Sequence, residues 1–591
     1  MTTGFAGPQR AALLAVAFVA LVLGLVGGPG PARSAAAQKD DKKEYPRPTD
    51  QQKKDHTLLG ASSCQTCHNN PNPQGEAEYK QTLGFEFIRL WENRVWSAHD
   101  LHSMATRNLI TKDTPGVNDD DRKKYLNATA QRMEEKLRKY RGKDYHVGTD
   151  KDCLACHASV IQPISLAPPS TWKTDSFAPI EEGVGCEMCH GHGSMYSERH
   201  KANRFSKENP GATKVVDWRN YPAEVKKDWG LVNLRDATTA TQACASCHIG
   251  NKADGRFVTH DMFAAGHPPL PPLDLMAYAR EQPRHWGFAH EMPYITKMAK
   301  DPINADRAYA LYHYREGESF VARRFAESAL AALGATANLG AQLADDAKAK
   351  NDGLDFAAFD CYSCHHNLKY PSERQDRGYV GRPGRPLYRP AAFALARLVV
   401  DHAGGMDKGD ALKGAAAELD AAELELADAF TFKTYGDADK VKAATAKIAK
   451  WSDDTRKKLE VVRYTGAEVK KLFDKLIAVA ADDKKPVGDP EVAQLYVWAV
   501  ETLYIDLQPK DKTEKKEEPK ALKDMRVALK GSVVTRLRPD TDFYYEQGIS
   551  GPITKPTTTD SVESRLKDRM DIFNSFRAEP FRKAVGGVQA P

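Results

Sequence analysis

The sequence predicts a mainly α chain with little regular sheet, closing in a bundle-like helical region. Three observations carry that prediction. Ala305 to Lys350 is an Ala-rich run of helix formers, with Asp301-Pro302 as its start signal. Thr465-Gly466-Ala467-Glu468 is a capping box, and Val469, Leu472, Phe473, Leu476 and Ile477 follow it at helical period. Asp489-Pro490 opens another helix, with Val492, Leu495, Tyr496, Ala499 and Leu503 directed inward. Hydrophobic residues are 41% of the chain and charged residues 28%, which excludes a collagen-like or wholly disordered chain.

In chain order, Arg10 precedes the apolar run Ala11 to Gly28, and Ser34-Ala35-Ala36-Ala37-Gln38 supplies a small-residue cleavage site. Residues 1–37 therefore read as an export signal cut after Ala37. The run is also close to the length that spans a bilayer, so a retained membrane anchor is the second reading. Both readings put the remainder outside the cytoplasm. Residues 38–55 form a charged, Pro-containing linker, and residues 56–390 form the domain that carries the cysteines. Within it, residues 119–144 read as an exposed helix and Pro268 to Pro272 as a break. Gly378 to Pro390 is rich in Gly, Pro and Arg and reads as an extended segment lying on that domain. Residues 391–508 hold no cysteine and form a helical domain, 509–521 are a charged linker, and 522–591 are a mixed tail without visible chemistry. A strand or two is expected between Met525 and Leu537.

The ten cysteines fall in five copies of one pattern, C-x-x-C-H. They are Cys64/Cys67/His68, Cys153/Cys156/His157, Cys186/Cys189/His190, Cys244/Cys247/His248 and Cys361/Cys364/His365. This is the attachment signature of a c-type haem. Two thiols three residues apart reach the two vinyl groups on one porphyrin edge, and the adjacent histidine supplies the proximal nitrogen to the iron. Zinc sites also use C-x-x-C pairs, and exported chains hold disulfides, but neither needs a histidine after every pair. The pattern implies five covalently attached haems c, and residues 56–390 then form a pentahaem cytochrome c domain. Export agrees with this, because c-type haem is attached outside the cytoplasm.

Thirteen histidines remain for the second axial positions, and all but His402 lie in the cysteine-bearing stretch. His99 follows Trp96-Ser97-Ala98, and His102 lies three residues on, on the same face of a helical turn. His260 and His267 follow the fourth motif closely, and Pro268 stiffens the chain after His267. His366 adjoins proximal His365, so it can only serve a neighbouring haem. His200 and His146 complete the candidate distal ligands. His192, two residues from His190, reads as a neighbouring or surface group, and His56 and His313 stay open. Met104 and Met262 are substitutes ranked below the histidines. Arg382, Arg385 and Arg389 are placed either to pair with haem propionates or to be solvated.

The segment Gly183-Val184-Gly185-Cys186-Glu187-Met188-Cys189-His190-Gly191-His192-Gly193-Ser194 resembles one common in multihaem cytochromes c. The relatives in question are the small tetrahaem cytochromes that accept electrons from hydroxylamine oxidoreductase, and the wider superfamily around that enzyme. Trp96-Ser97-Ala98-His99 and Ala265-Gly266-His267-Pro268 are similar to elements that follow haem motifs in them. The resemblance covers roughly residues 56 to 370. It implies closely packed, mostly bis-histidine haems and electron transfer, with His99 and His267 as distal ligands. The sequence departs from the family in a longer insertion before His99, in His192 where the family has proline, and in a fifth motif. One haem in such relatives can lack a distal ligand.

Two function classes follow. The first is an electron carrier between redox partner proteins. The second is a multihaem oxidoreductase in which one open iron acts on a small nitrogen or sulfur compound. No C-x-x-C is followed by Lys, so the active-haem motif of ammonifying nitrite reductases is absent. The formal charge of +5 gives no nucleic-acid footprint, and membrane association is expected only if the N-terminal segment is retained.

Overall fold

The computed structural model describes residues 45–54, 56–69, 92–159, 182–205, 218, 221–365, 381–508, 519–529 and 576–591. The export signal, His366 and residues 530–537 of the expected strand region lie outside the described residues. Among the described residues the architecture is helical. There is no sheet, and the extended backbone pairs only at the isolated bridges Asn251–Arg256 and Phe359–Tyr388.

The N-terminal half is built of short helices. They are α1 (Ala61–His68), α2 (Glu92–His99), α3 (Ala128–Arg141), α4 (Lys151–His157), α5 (Cys186–His190), α6 (Gly193–Phe205), α7 (Ala237–His248), α8 (His260–Ala265) and α9 (Leu275–Glu281). The stretch expected as one exposed helix from 119 to 144 is two helices, Asp119–Tyr125 and α3. α3 is not fully exposed. Ala130, Met133, Glu134 and Leu137 recur at helical period and are buried, and this face packs on α8.

The second half is organised by α10 (Phe320–Lys350), 31 residues long and buried on most of its surface. The Ala-rich run therefore yields two helices rather than one. Ala305–Tyr312 ends at His313 in the left-handed region, and Ser319 caps α10 by accepting the Ala322 N–H. α7, α11 (Ala391–Ala403), α13 (Ala438–Leu459) and α15 (Pro490–Leu507) all pack on α10. Small side chains allow the close approach of α13. A Cβ at Gly340 would lie 2.7 Å from the Thr445 Cγ2 and 2.8 Å from the Tyr388 hydroxyl. α12 (Ala415–Asp428) packs on α11 and α13, and α14 (Gly466–Ala480) on α15.

Thr465 caps α14, its hydroxyl accepting the Glu468 N–H, and Val469, Leu472, Phe473 and Leu476 are buried behind it. The expected box is only half formed, because the Glu468 carboxylate accepts from Lys471 Nζ at 2.7 Å instead. Asp489 caps α15 through the Glu491 and Val492 N–H groups. α15 is buried all round from Ala493 to Tyr504, where the sequence suggested a single inward stripe. Met525 lies in a helix, α16 (Lys520–Ala528), not a strand, and α17 (Ala578–Gly586) packs on α16 and α14. One hydrophobic core runs from Ala245 and Phe257 through α10 to Val588. The cysteine-free helices thus brace the helix that ends in the fourth motif. Among the described residues no helix is long and apolar enough to cross a membrane.

Candidate functional site

Four of the five motifs end a helix: α1, α4, α5 and α7. The fifth follows the 3-10 turn Cys361–Ser363, where the His365 N–H donates to the Cys361 carbonyl at 2.8 Å. Residues i, i+3 and i+4 of a helical turn share one face, so each turn presents two thiols and one imidazole together.

Every motif histidine faces a second imidazole. His68 faces His200 of α6 with ring centroids 6.4 Å apart (site 1), and His157 faces His267 at 6.4 Å (site 2). His190 faces His285 at 6.4 Å (site 3), and His248 faces His102 at 6.2 Å (site 4). His365 faces His260 of α8 at 6.4 Å (site 5). Two metal–imidazole bonds of about 2 Å each, extended to the ring centres, give a separation of about 6 Å. The five gaps match an iron held between two axial histidines. The ring planes are near-parallel at sites 1 and 5 (20° and 27°), crossed at sites 2 and 4 (84° and 89°), and 61° apart at site 3.

Hydrogen bonds aim these rings. His157 Nδ1 donates to the Ala105 carbonyl at 3.1 Å, His267 Nδ1 to the Pro268 carbonyl at 2.8 Å, and His200 Nδ1 to the Tyr196 carbonyl at 3.2 Å. His68 Nδ1 donates to Glu92 Oε2 at 2.9 Å and His102 Nδ1 to Asp100 Oδ1 at 2.8 Å. With Nδ1 engaged, Nε2 is left to bind a metal. Burial, and then the facing ring, lowers His190 and His267 to about 4, so both are neutral bases near pH 7. At His68 and His102 burial pulls downward, but the carboxylates of Glu92 and Asp100 outweigh it and raise both imidazoles.

The sequence candidates His102, His200, His260 and His267 each sit opposite a motif histidine. His99 is buried at the end of α2, but the ring facing His248 is that of His102. His146 is engaged instead by Arg138 at 3.1 Å and lies 3.5 Å from the Glu134 carboxylate. The sequence does not single out His285, which lies 95 residues after His190 and follows no motif closely. Its neighbour Trp286 gives the same aromatic flank as Trp96 beside His99, and that was the available signal. His192 stacks on His56, with centroids 4.2 Å apart. Arg385 donates to the Thr431 carbonyl, Arg389 to those of Ile249 and Ala357, and Arg382 lies over the Phe432 ring. These arginines brace backbone and an aromatic ring.

Contacts between motifs order the sites in space. Cys64 lies beside Cys186, and Cys156 beside Cys247. Cys189 lies within electrostatic reach of Cys244 and Cys247. His260 opens α8 and His267 follows its end, so one short segment serves sites 5 and 2. The spatial order is 1, 3, 4, 2, 5. Exposed cysteines occur only in the terminal motifs, at Cys67, Cys361 and Cys364.

Side chains lock this order. Glu187, inside the third motif, accepts from the N–H groups of Leu59 and Gly60 at 2.9 and 2.8 Å and of Gly193 at 2.6 Å. Glu182 accepts from the Ala61 N–H at 2.6 Å, and burial raises its carboxyl to about 7. Arg256 donates to the Ala155 carbonyl of α4 and the Ser246 hydroxyl of α7, both at 3.0 Å. Gly183 has φ 59°, and a Cβ there would lie 2.4 Å from the His102 carbonyl oxygen, so only glycine lets this strand of chain reach the His102 turn.

The donor set fits haem c better than zinc. Among the described residues no three His, Cys, Asp or Glu side chains converge on a point that would hold a metal ion.

Residues 118–191, which contain the second and third motifs, match the family model described as Cytochrome c554 and c-prime. No curated protein and no solved structure matches the chain. The family match supports a c-type cytochrome with covalently bound haem c and an electron-transfer role.

Proposed function

We propose that this chain is an exported pentahaem c-type cytochrome that carries single electrons between redox partner proteins. The observation that supports this reading is the second imidazole opposite every motif histidine, at 6.2–6.4 Å. Haem c, when bound, supplies a one-electron ferric/ferrous couple whose potential follows its axial ligands and burial. The protein's own contribution is positional. Each motif turn holds two thiols and an imidazole on one face, and a second histidine from a distant element closes the opposite side. The contacts between motifs keep successive sites adjacent. The order 1, 3, 4, 2, 5 favours a line of sites, and the exposed cysteines at its two ends favour those ends as the places where partners approach.

The competing reading, an oxidoreductase acting on a small nitrogen or sulfur compound, requires one site with a free axial face. Two rings at each site favour the carrier. Export is supported by the N-terminal signal pattern and by the attachment of haem c outside the cytoplasm. The two readings separate on spin state. The carrier predicts low-spin ferric spectra throughout, unmoved by nitrite, hydroxylamine or sulfite. A high-spin ferric signal that shifts on adding one of them would turn the assignment to the oxidoreductase.

A further inference from the structure

Asp100 is 2% exposed and caps the 3-10 turn Leu101–Met104. Its Oδ1 accepts the His102 backbone N–H at 3.0 Å and the His102 Nδ1–H at 2.8 Å. Its Oδ2 accepts the Gln282 Nε2–H at 2.7 Å. Among the described residues its only ion-pair partner is His102. The other interior sites differ: at site 3 no carboxylate among the described residues hydrogen-bonds the buried His285 Nδ1. At site 2 both rings donate to backbone carbonyls, Ala105 and Pro268. At site 1, on the end of the line, Glu92 plays the corresponding role, but its side chain is 17% exposed against 3% for Asp100, so water screens it more.

We propose that Asp100 is a positioning residue that gives site 4 the lowest reduction potential of the three interior sites. A carboxylate on Nδ1–H gives the imidazole imidazolate character and makes Nε2 a stronger donor, which favours ferric iron. A carboxylate charge in a low-dielectric setting opposes an arriving electron as well. The proposal rests on the carrier reading above and adds a specific dip in the middle of the line, between sites 3 and 2.

The test is an EPR-monitored redox titration of the full-length holoprotein and three variants. Asp100→Asn removes the charge while keeping an acceptor. The site 4 midpoint is expected to move positive by about tenfold in the ferric/ferrous ratio, which is ~59 mV for a one-electron couple, with a smaller positive move at site 3, whose His285 also feels the Asp100 charge. Asp100→Glu keeps the carboxylate and is expected to show little of that shift. Gln282→Met strips a donor from Oδ2, leaves the carboxylate more basic, and moves the same midpoint the opposite way. Unchanged midpoints in Asp100→Asn, with haem content and low-spin spectrum intact, overturn the proposal. If Asp100→Asn does not mature, an unmoved midpoint in Gln282→Met overturns it. A wild-type protein without haem, or with a ligand-responsive high-spin signal, would instead defeat the carrier reading.

Discussion

His285 faces His190 across 6.4 Å, although 95 residues separate them in the chain. The loop after α9 brings Pro283-Arg284-His285-Trp286 over the end of α5, and Arg284 is itself anchored to Glu291 at 2.8 Å. The Trp286 flank marks His285 as a candidate, but no local pattern announces which motif histidine it faces. The pairing depends on the fold.

That pairing gives the first prediction. His285→Ala leaves site 3 with His190 alone, so one haem in five becomes high-spin and binds added cyanide. His146→Ala leaves all five low-spin, because His146 is held by Arg138 and lies beside Glu134. Optical and EPR spectra of the two purified variants check both outcomes. A low-spin His285→Ala protein would refute the assignment of site 3.

Ring geometry gives the second. Parallel axial imidazoles split the iron d orbitals in concert, whereas crossed ones cancel each other's effect and leave a more anisotropic signal. Sites 2 and 4, at 84° and 89°, should therefore give large-g signals, and sites 1 and 5, at 20° and 27°, ordinary rhombic ones. Low-temperature EPR of the oxidised protein that shows a single class would contradict these orientations.

The third concerns the clamp between sites 1 and 3. Glu187 is buried and accepts three backbone N–H groups. Glu187→Ala strands those donors and should cost about 2–4 kcal/mol of stability. The drop would be read as a lower denaturant midpoint at unchanged slope.

The fourth is a pH dependence. The Glu182 carboxyl is raised from 4.5 to about 7, chiefly by burial, so between those values the folded state binds a proton that the unfolded chain has lost. Stability from this group is present below pH 4.5 and is lost as pH rises through about 7. Glu182→Gln keeps an oxygen for the Ala61 N–H and should flatten this part of the stability profile. Parallel slopes for wild type and variant between pH 5 and 8 would argue against it.

Local features were legible in the sequence, and long-range ones were not. The C-x-x-C-H turns, the Thr465 and Asp489 caps and the stripe Val469–Leu476 depend on neighbours within a few residues. The Met133–Leu137 face of α3 was local too, but the charges around it hid the stripe. Distal partners depend on tertiary packing. His260 and His267 stood out because they follow the fourth motif closely, yet they face the fifth and second. The shared core around α10 was hidden for the same reason, since an Ala-rich helix shows no stripe that distinguishes a central helix from a peripheral one.

The number of covalently attached haems tests the five-site reading most directly. Intact mass of the purified, exported protein, paired with a peroxidase stain after denaturing electrophoresis, measures it. The expected result is a coloured band whose mass equals the polypeptide plus five haems. A colourless band, a bare-polypeptide mass, or fewer than five additions would contradict the account.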